Sequence, residues 1–93
     1  MSGLKFEWDS DKALSNASKH DVTFEEAASI FGDPLALTFA DPDHAIGERR
    51  WLTFGLSQIG RVLLVVYTER GHSIRIISAR KATRHERETY ANG

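Results

Sequence analysis

The chain has 93 residues, 41% of them hydrophobic and 27% charged, enough for one folded domain over 1–93 and too few for two. It holds no cysteine, which excludes disulfides, thiolate nucleophiles and cysteine-bound zinc. The start, MSGLKFEWD, lacks the basic and apolar regions of a signal peptide. The longest apolar run, 62–67, is far short of the ~20 residues that span a bilayer, so no membrane association is expected.

The net charge of −1 hides an asymmetry. Residues 1–48 carry three lysines against ten acidic residues, and residues 49–93 carry nine arginines and lysines against three glutamates. A basic second half points either to an anion-binding surface or to a basic sheet paired with acidic helices.

Phe6, Glu7 and Trp8 alternate as a short first strand. Asp9 or Ser10 then caps a helix with Asp11 in its first turn, an Ala13, Leu14 and Ala17 stripe, and Lys19 and His20 at the end that favours cations. A second helix follows. Thr23 and Glu26 have the spacing of a capping box, and Phe24, Ala27, Ala28 and Phe31 share one face. Gly32 and Asp33-Pro34 stop it. Residues 35–39 read as a strand and 41–47 as a loop. Residues 49–56 form the next strand, and 61–81 a long hairpin. Thr83 and Glu86 repeat the capping box before a short, charged helix reaching about Tyr90. The order is β-α-α-β-β-β-β-α.

The hairpin carries most of the chemistry. A three-residue loop of Glu69, Arg70 and Gly71, with Gly71 left-handed, pairs Tyr67 with Ser73, Val66 with Ile74 and Val65 with Arg75. Val62, Leu64, Val66, Ile74 and Ile76 then share an aliphatic face under the helices. Tyr67 and Arg75 share the other face, and Arg80 points toward the helices. A two-residue Arg70-Gly71 loop would mix Arg75 into the aliphatic face at a desolvation cost.

Arg70, Arg75, Arg80 and Lys81 form a candidate phosphate-binding set, because guanidinium is a permanently charged fork matched to phosphate oxygens. Tyr67 can stack on a base or donate a hydrogen bond. Glu69 is a candidate general base, against an ordinary ion-pair role. His20 is a candidate acid, against helix capping. Trp51 lines either a site or the core. None of His20, His44, His72 and His85 has metal-ligand spacing, and Asp41-x-Asp43-His44 is better explained as turn chemistry. No metal or cofactor is expected.

The words FEWD, KHDVTFEEA, FGDPLA, YTERG and IRIISARKAT, in that order, resemble the BrnT toxins of bacterial type II toxin–antitoxin modules. The resemblance implies an α+β, RelE-like fold: an antiparallel sheet with two N-terminal helices on one face and a short C-terminal helix. It implies a cytoplasmic endoribonuclease that cleaves RNA and arrests translation. It also implies a BrnA-type ribbon-helix-helix antitoxin in a 2:2 heterotetramer, with DNA reached only through the antitoxin. On that reading the enzyme works without metal. Arg75 and Arg80 hold the phosphate, Tyr67 orients a base, Glu69 or His20 moves a proton, and Arg70, Lys81 and Trp51 bind RNA. The competing reading is a non-catalytic module that acts through antitoxin binding and operon repression. A general DNA-binding role is weak, since no helix has a basic recognition face.

Overall fold

The computed structural model describes residues 4–42 and 48–93. Asp43 and His44 of the Asp41-x-Asp43-His44 cluster therefore lie outside the described residues. The elements are β1 (Lys5–Glu7), α1 (Ser10–His20), α2 (Phe24–Ser29), a 3-10 turn (Ile30–Gly32), β2 (Leu37–Ala40), β3 (Arg50–Leu56), β4 (Val62–Arg70), β5 (Ser73–Lys81) and α3 (Arg84–Ala91). The α+β order is the expected one. The five-stranded sheet runs β1-β5-β4-β3-β2, antiparallel except at its edge, where β1 pairs with β5 in parallel.

Local chemistry sets the helix ends. Asp9 caps α1 by accepting the Lys12 amide at 3.0 Å, and Asp21 ends the helix in the left-handed conformation. Thr83 and Glu86 form the complete capping box of α3. At α2 only half of the expected box exists. Thr23 accepts the Glu26 amide at 3.0 Å, but the Glu26 side chain turns inward to Ser57 and Arg61. A buried carboxylate gains more from a guanidinium and a hydroxyl than from one solvated amide.

The helices bury one face of the sheet. Val22, Phe24, Ala27 and Ile30 pack on Leu63, Val65, Tyr67, Ile74, Ile76 and Ala79. Each large aliphatic or aromatic side chain so buried contributes about 1.5–3 kcal/mol. The α1 stripe differs from expectation: Leu14 is 72% exposed, and Asn16 is the buried residue. β1 pairs with β5 only as far as Arg75, so beyond it the strand needs another partner. Asn16 supplies it. Its amide donates to the Ala79 and Val22 carbonyls at 2.8 and 3.0 Å and accepts the Ala79 N–H at 3.1 Å.

The hairpin register is not the expected one. The loop is two residues, Gly71 and His72, with Arg70 opposite Ser73, Glu69 opposite Ile74, Thr68 opposite Arg75 and Tyr67 opposite Ile76. Gly71 is left-handed at φ +57, and a glycine first in a two-residue loop suits a type II′ turn. A bulge then shifts the pairing, so that Val66 faces Ser78, Val65 faces Ala79 and Leu64 faces Arg80.

Two expectations fall with the register. Leu63, Val65 and Tyr67, rather than Val62, Leu64 and Val66, lie under the helices. Tyr67 is 6% exposed, packs edge-on against Phe31, and its hydroxyl accepts from Thr53 Oγ1 at 3.0 Å. Arg75 and Arg80 both belong to the open face, because their partners Thr68 and Leu64 are two positions apart twice over on an unbroken β4. The tripeptide-scale cause is Ile77, the one residue β5 has in excess.

Candidate nucleic-acid interface

Cross-strand rows on the open face divide it into two halves. Toward the hairpin loop, one row runs Arg70, Ser73, Lys5, and the next runs Arg50, Thr68, Arg75, Glu7. Beyond the bulge the rows become Phe39, Leu52, Val66, Ser78 and then Leu37, Phe54, Leu64, Arg80. The hairpin half is basic and the far half is largely apolar, with Phe39 47% and Leu56 43% exposed.

The basic half continues around the end of the sheet into an open cleft of 350 Å³. Glu48, Arg49, Trp51, Thr68, Glu69 and Arg70 line it. Arg49 lies over the Trp51 ring, 5.4 Å from its centroid. Arg49 and Arg70 have no ion-pair partner among the described residues. Glu69 is exposed and also borders a second depression, of 590 Å³, with Leu4, Lys5, His72 and Ser73.

Two arginines in the basic half have half-buried carboxylate partners. Arg75 Nη1 donates to Glu7 at 3.0 Å, and Arg50 Nε donates to Glu48 at 3.1 Å. Asp9 lies near Arg75 as well. The Lys12 amide outweighs burial there and, with the charges of Lys12 and Arg75, holds the Asp9 carboxyl below its ordinary range.

The sequence-derived candidates are thus partly gathered and partly scattered. Glu69, Arg70 and Trp51 share the cleft at the end of the sheet, but Glu69 and Trp51 alternate to the helix side, where Trp51 packs on the core, while Arg75 is on the open face in the row next to Arg70. Arg80 is at the other end of β5 and grips Glu86 with both nitrogens, at 2.7 and 2.9 Å. That bond, against the effect of burial, pushes the Glu86 carboxyl down to about 2 and raises Arg80. Lys81 follows Arg80 there, six positions along the strand from Arg75, a distance of about 20 Å. Tyr67 is beneath the helices. His20 ends α1 and lines a small hollow with Lys12, Ser15, Asn16, Lys19, Ile77 and Ser78, apart from the cleft.

Sequence reasoning missed Glu48, Arg49 and Arg50. The signal lay in the triplet ERR directly before Trp51, which reads as the start of a strand and nothing more until β3 is set beside β4. No group of three His, Cys, Asp or Glu side chains that could hold a metal occurs among the described residues. Among them, no helix is long and apolar enough to cross a membrane.

The family model for the ribonuclease toxin, BrnT, of type II toxin–antitoxin systems matches residues 8–86. The crystal structure of the ribonuclease toxin BrnT of Brucella abortus shares the fold, with a TM-score of 0.64 and 21% identity over 88% of this chain and 100% of that one. No curated protein matches the sequence.

Proposed function

Because the chain belongs to the BrnT family of ribonuclease toxins of type II toxin–antitoxin systems, we propose that it is a single-domain, metal-independent endoribonuclease whose active centre wraps the hairpin end of the sheet. The observation that carries this is the cleft, which gathers Glu69, Arg70, Arg49 and Trp51 at the loop end of the sheet, with Arg75 on the open face in the row next to Arg70.

In the reaction, the ribose 2′-oxygen attacks the adjacent phosphorus and the bond to the 5′-oxygen breaks. Glu69 takes the 2′-hydroxyl proton, and the leaving 5′-oxygen takes a proton from water. The products are a 2′,3′-cyclic phosphate and a 5′-hydroxyl. Arg70 and Arg75 stabilise the charge that grows on the phosphoryl oxygens, and Trp51 stacks on a base. A positioned general base supplies about 10²–10⁴-fold, and one lost charge-stabilising donor costs about 10²–10³-fold. Arg80, Lys81, Tyr67 and His20 have no part in this chemistry. The reaction takes place in the cytoplasm, where its RNA is.

The apolar half of the open face supports the further reading that a BrnA-type antitoxin seats there and covers the basic half, in a 2:2 complex whose ribbon-helix-helix part alone touches DNA. A purely binding role would leave growth unaffected when the chain is expressed without antitoxin.

The enzyme reading is tested with purified, antitoxin-free protein and RNA in EDTA. Wild type is expected to cut, and Glu69→Gln, Arg70→Ala and Arg75→Ala to lose about 10²-fold or more in rate while remaining folded. Cleavage that requires added metal, or a Glu69→Gln protein as fast as wild type, overturns it.

A further inference from the structure

The row Arg50, Thr68, Arg75, Glu7 places two arginines on either side of one small residue. Strands two apart are about 10 Å apart, a gap that two arginine side chains close by leaning inward. Thr68 between them is 5% exposed, and its hydroxyl is already donated to the Arg49 carbonyl at 2.8 Å. The row therefore offers a ligand two guanidinium forks and no competing donor.

The carboxylates on these arginines are weak holders. The Glu48 and Glu7 side chains are 33% and 38% exposed, and among the described residues each makes a single bond, at 3.1 and 3.0 Å. Partly exposed, singly bonded pairs of this kind contribute little. The structural ion pairs of the chain look different. Glu26, with a 7% exposed side chain, binds Arg61 through both oxygens, and Glu86 binds Arg80 through both oxygens. A phosphate offers the bidentate, doubly charge-assisted contact that Glu48 and Glu7 do not make.

Resting on the reading that RNA is bound at the hairpin end, we propose that Arg50 and Arg75 form a two-arginine clamp on one RNA phosphate over Thr68, with Glu48 and Glu7 as placeholders that the phosphate displaces. Arg50 is then a substrate-binding residue, and the two glutamates lower RNA affinity in the resting protein.

The test uses the Glu69→Gln protein, so that RNA is bound without being cut, and a short fluorescein-labelled single-stranded RNA of mixed sequence. Arg50→Ala is expected to weaken binding about tenfold or more, since a hydrogen bond to a charged group is worth about 1.5–3 kcal/mol. It should also flatten the dependence of log affinity on log salt by about 0.7, the value of one phosphate contact on a single strand. Arg75→Ala should do the same, and Arg84→Ala, on exposed α3, should do neither. Glu48→Gln and Glu7→Gln should tighten binding, a sign that a merely structural ion pair does not give. If Arg50→Ala fails to fold, Arg50→Lys serves: it keeps the charge, loses the fork and should still bind more weakly. A folded Arg50 variant that binds as tightly as its parent, or a Glu48→Gln protein that binds more weakly, overturns the clamp. If the parent and Arg75→Ala bind RNA equally, the placement of RNA at the hairpin end fails, and the clamp with it.

Discussion

Arg75 and Arg80 lie five positions apart on β5 and face the same side of the sheet. On a regular strand an odd separation sets two side chains on opposite faces. The bulge at Ile77 removes that half-turn of alternation. The two arginines then divide the work. Arg80 fastens α3 at the far end of the strand, while Arg75 stays in the basic half beside the half-buried Glu7 carboxylate.

The Arg80–Glu86 pair makes stability depend on acid. Glu86 falls from 4.5 to about 2 because Arg80 donates to it, against the effect of burial. A depressed carboxylate contributes stability that is present above its unfolded value and lost as pH falls through its folded one. The window is therefore pH 4.5 down to about 2. Screening at this partly exposed pair reduces the effect to about 1–2 kcal/mol. Glu86→Gln keeps a side chain able to complete the capping box and should remove this part of the pH dependence of thermal unfolding. A variant with the wild-type acid profile would show the assignment to be wrong.

Asn16 stands in for a strand. Its amide satisfies the Ala79 N–H and the carbonyls of Ala79 and Val22, where β5 has lost β1. Asn16→Ala leaves these buried groups without partners and should cost about 2–4 kcal/mol in denaturant unfolding. Asn16→Asp should also be destabilising near neutral pH, since a carboxylate cannot donate to two carbonyls. The outcome against this account is an Asn16→Ala midpoint equal to wild type.

Tyr90 binds α3 to the turn after α2. Its hydroxyl donates to Asp33 Oδ2 at 2.5 Å, and the same oxygen accepts the Leu56 amide at 2.8 Å. The Asp33 bond first, and burial second, push the Tyr90 hydroxyl up to about 12. Burial raises Asp33 too, but Tyr90 and the Leu56 and Leu35 amides outweigh it and hold its carboxyl below the ordinary range. A raised group contributes stability that is full below its unfolded value and lost as pH rises through its folded one, here between 10.0 and about 12. Tyr90→Phe should remove the late tyrosine absorbance change near that upper value and cost about 1 kcal/mol at neutral pH. An unchanged ultraviolet titration speaks against it.

Gly55 lets the 3-10 turn lie on β3. A β-carbon at this position would meet the Ile30 β-carbon at 2.8 Å and its backbone oxygen at 3.3 Å. Ile30 is fully buried in the core and has nowhere to retreat. Gly55→Ala should therefore cost about 1–3 kcal/mol, as overpacking does, despite the usual gain from replacing a strand glycine. A melting temperature at or above wild type would contradict this contact.

The sequence by itself determined the elements, their order and most of their ends. Those follow from local rules: the Asp9 cap, the Thr83–Glu86 box, the stop at Gly32, the β-branched runs of the hairpin. It also determined the family, through words that keep their order along the chain, and it offered Glu69, Arg70, Trp51 and Arg75 as candidates together with Tyr67, Arg80, Lys81 and His20. Only the tertiary structure decided which of the charged residues meet. Loop length and bulge position set the register, and a shift of one residue turns a whole run of side chains over. That is why Tyr67 went under the helices and Arg80 came out from them. Burial was equally non-local. Glu26 has the spacing of a cap, yet Ser57 and Arg61 claim it from far along the chain, because a carboxylate drawn inside needs the strongest partners within reach. Arg50 becomes visible as a neighbour of Arg75 only when β3, β4 and β5 are laid side by side, since rows across a sheet join residues that no spacing along the chain connects.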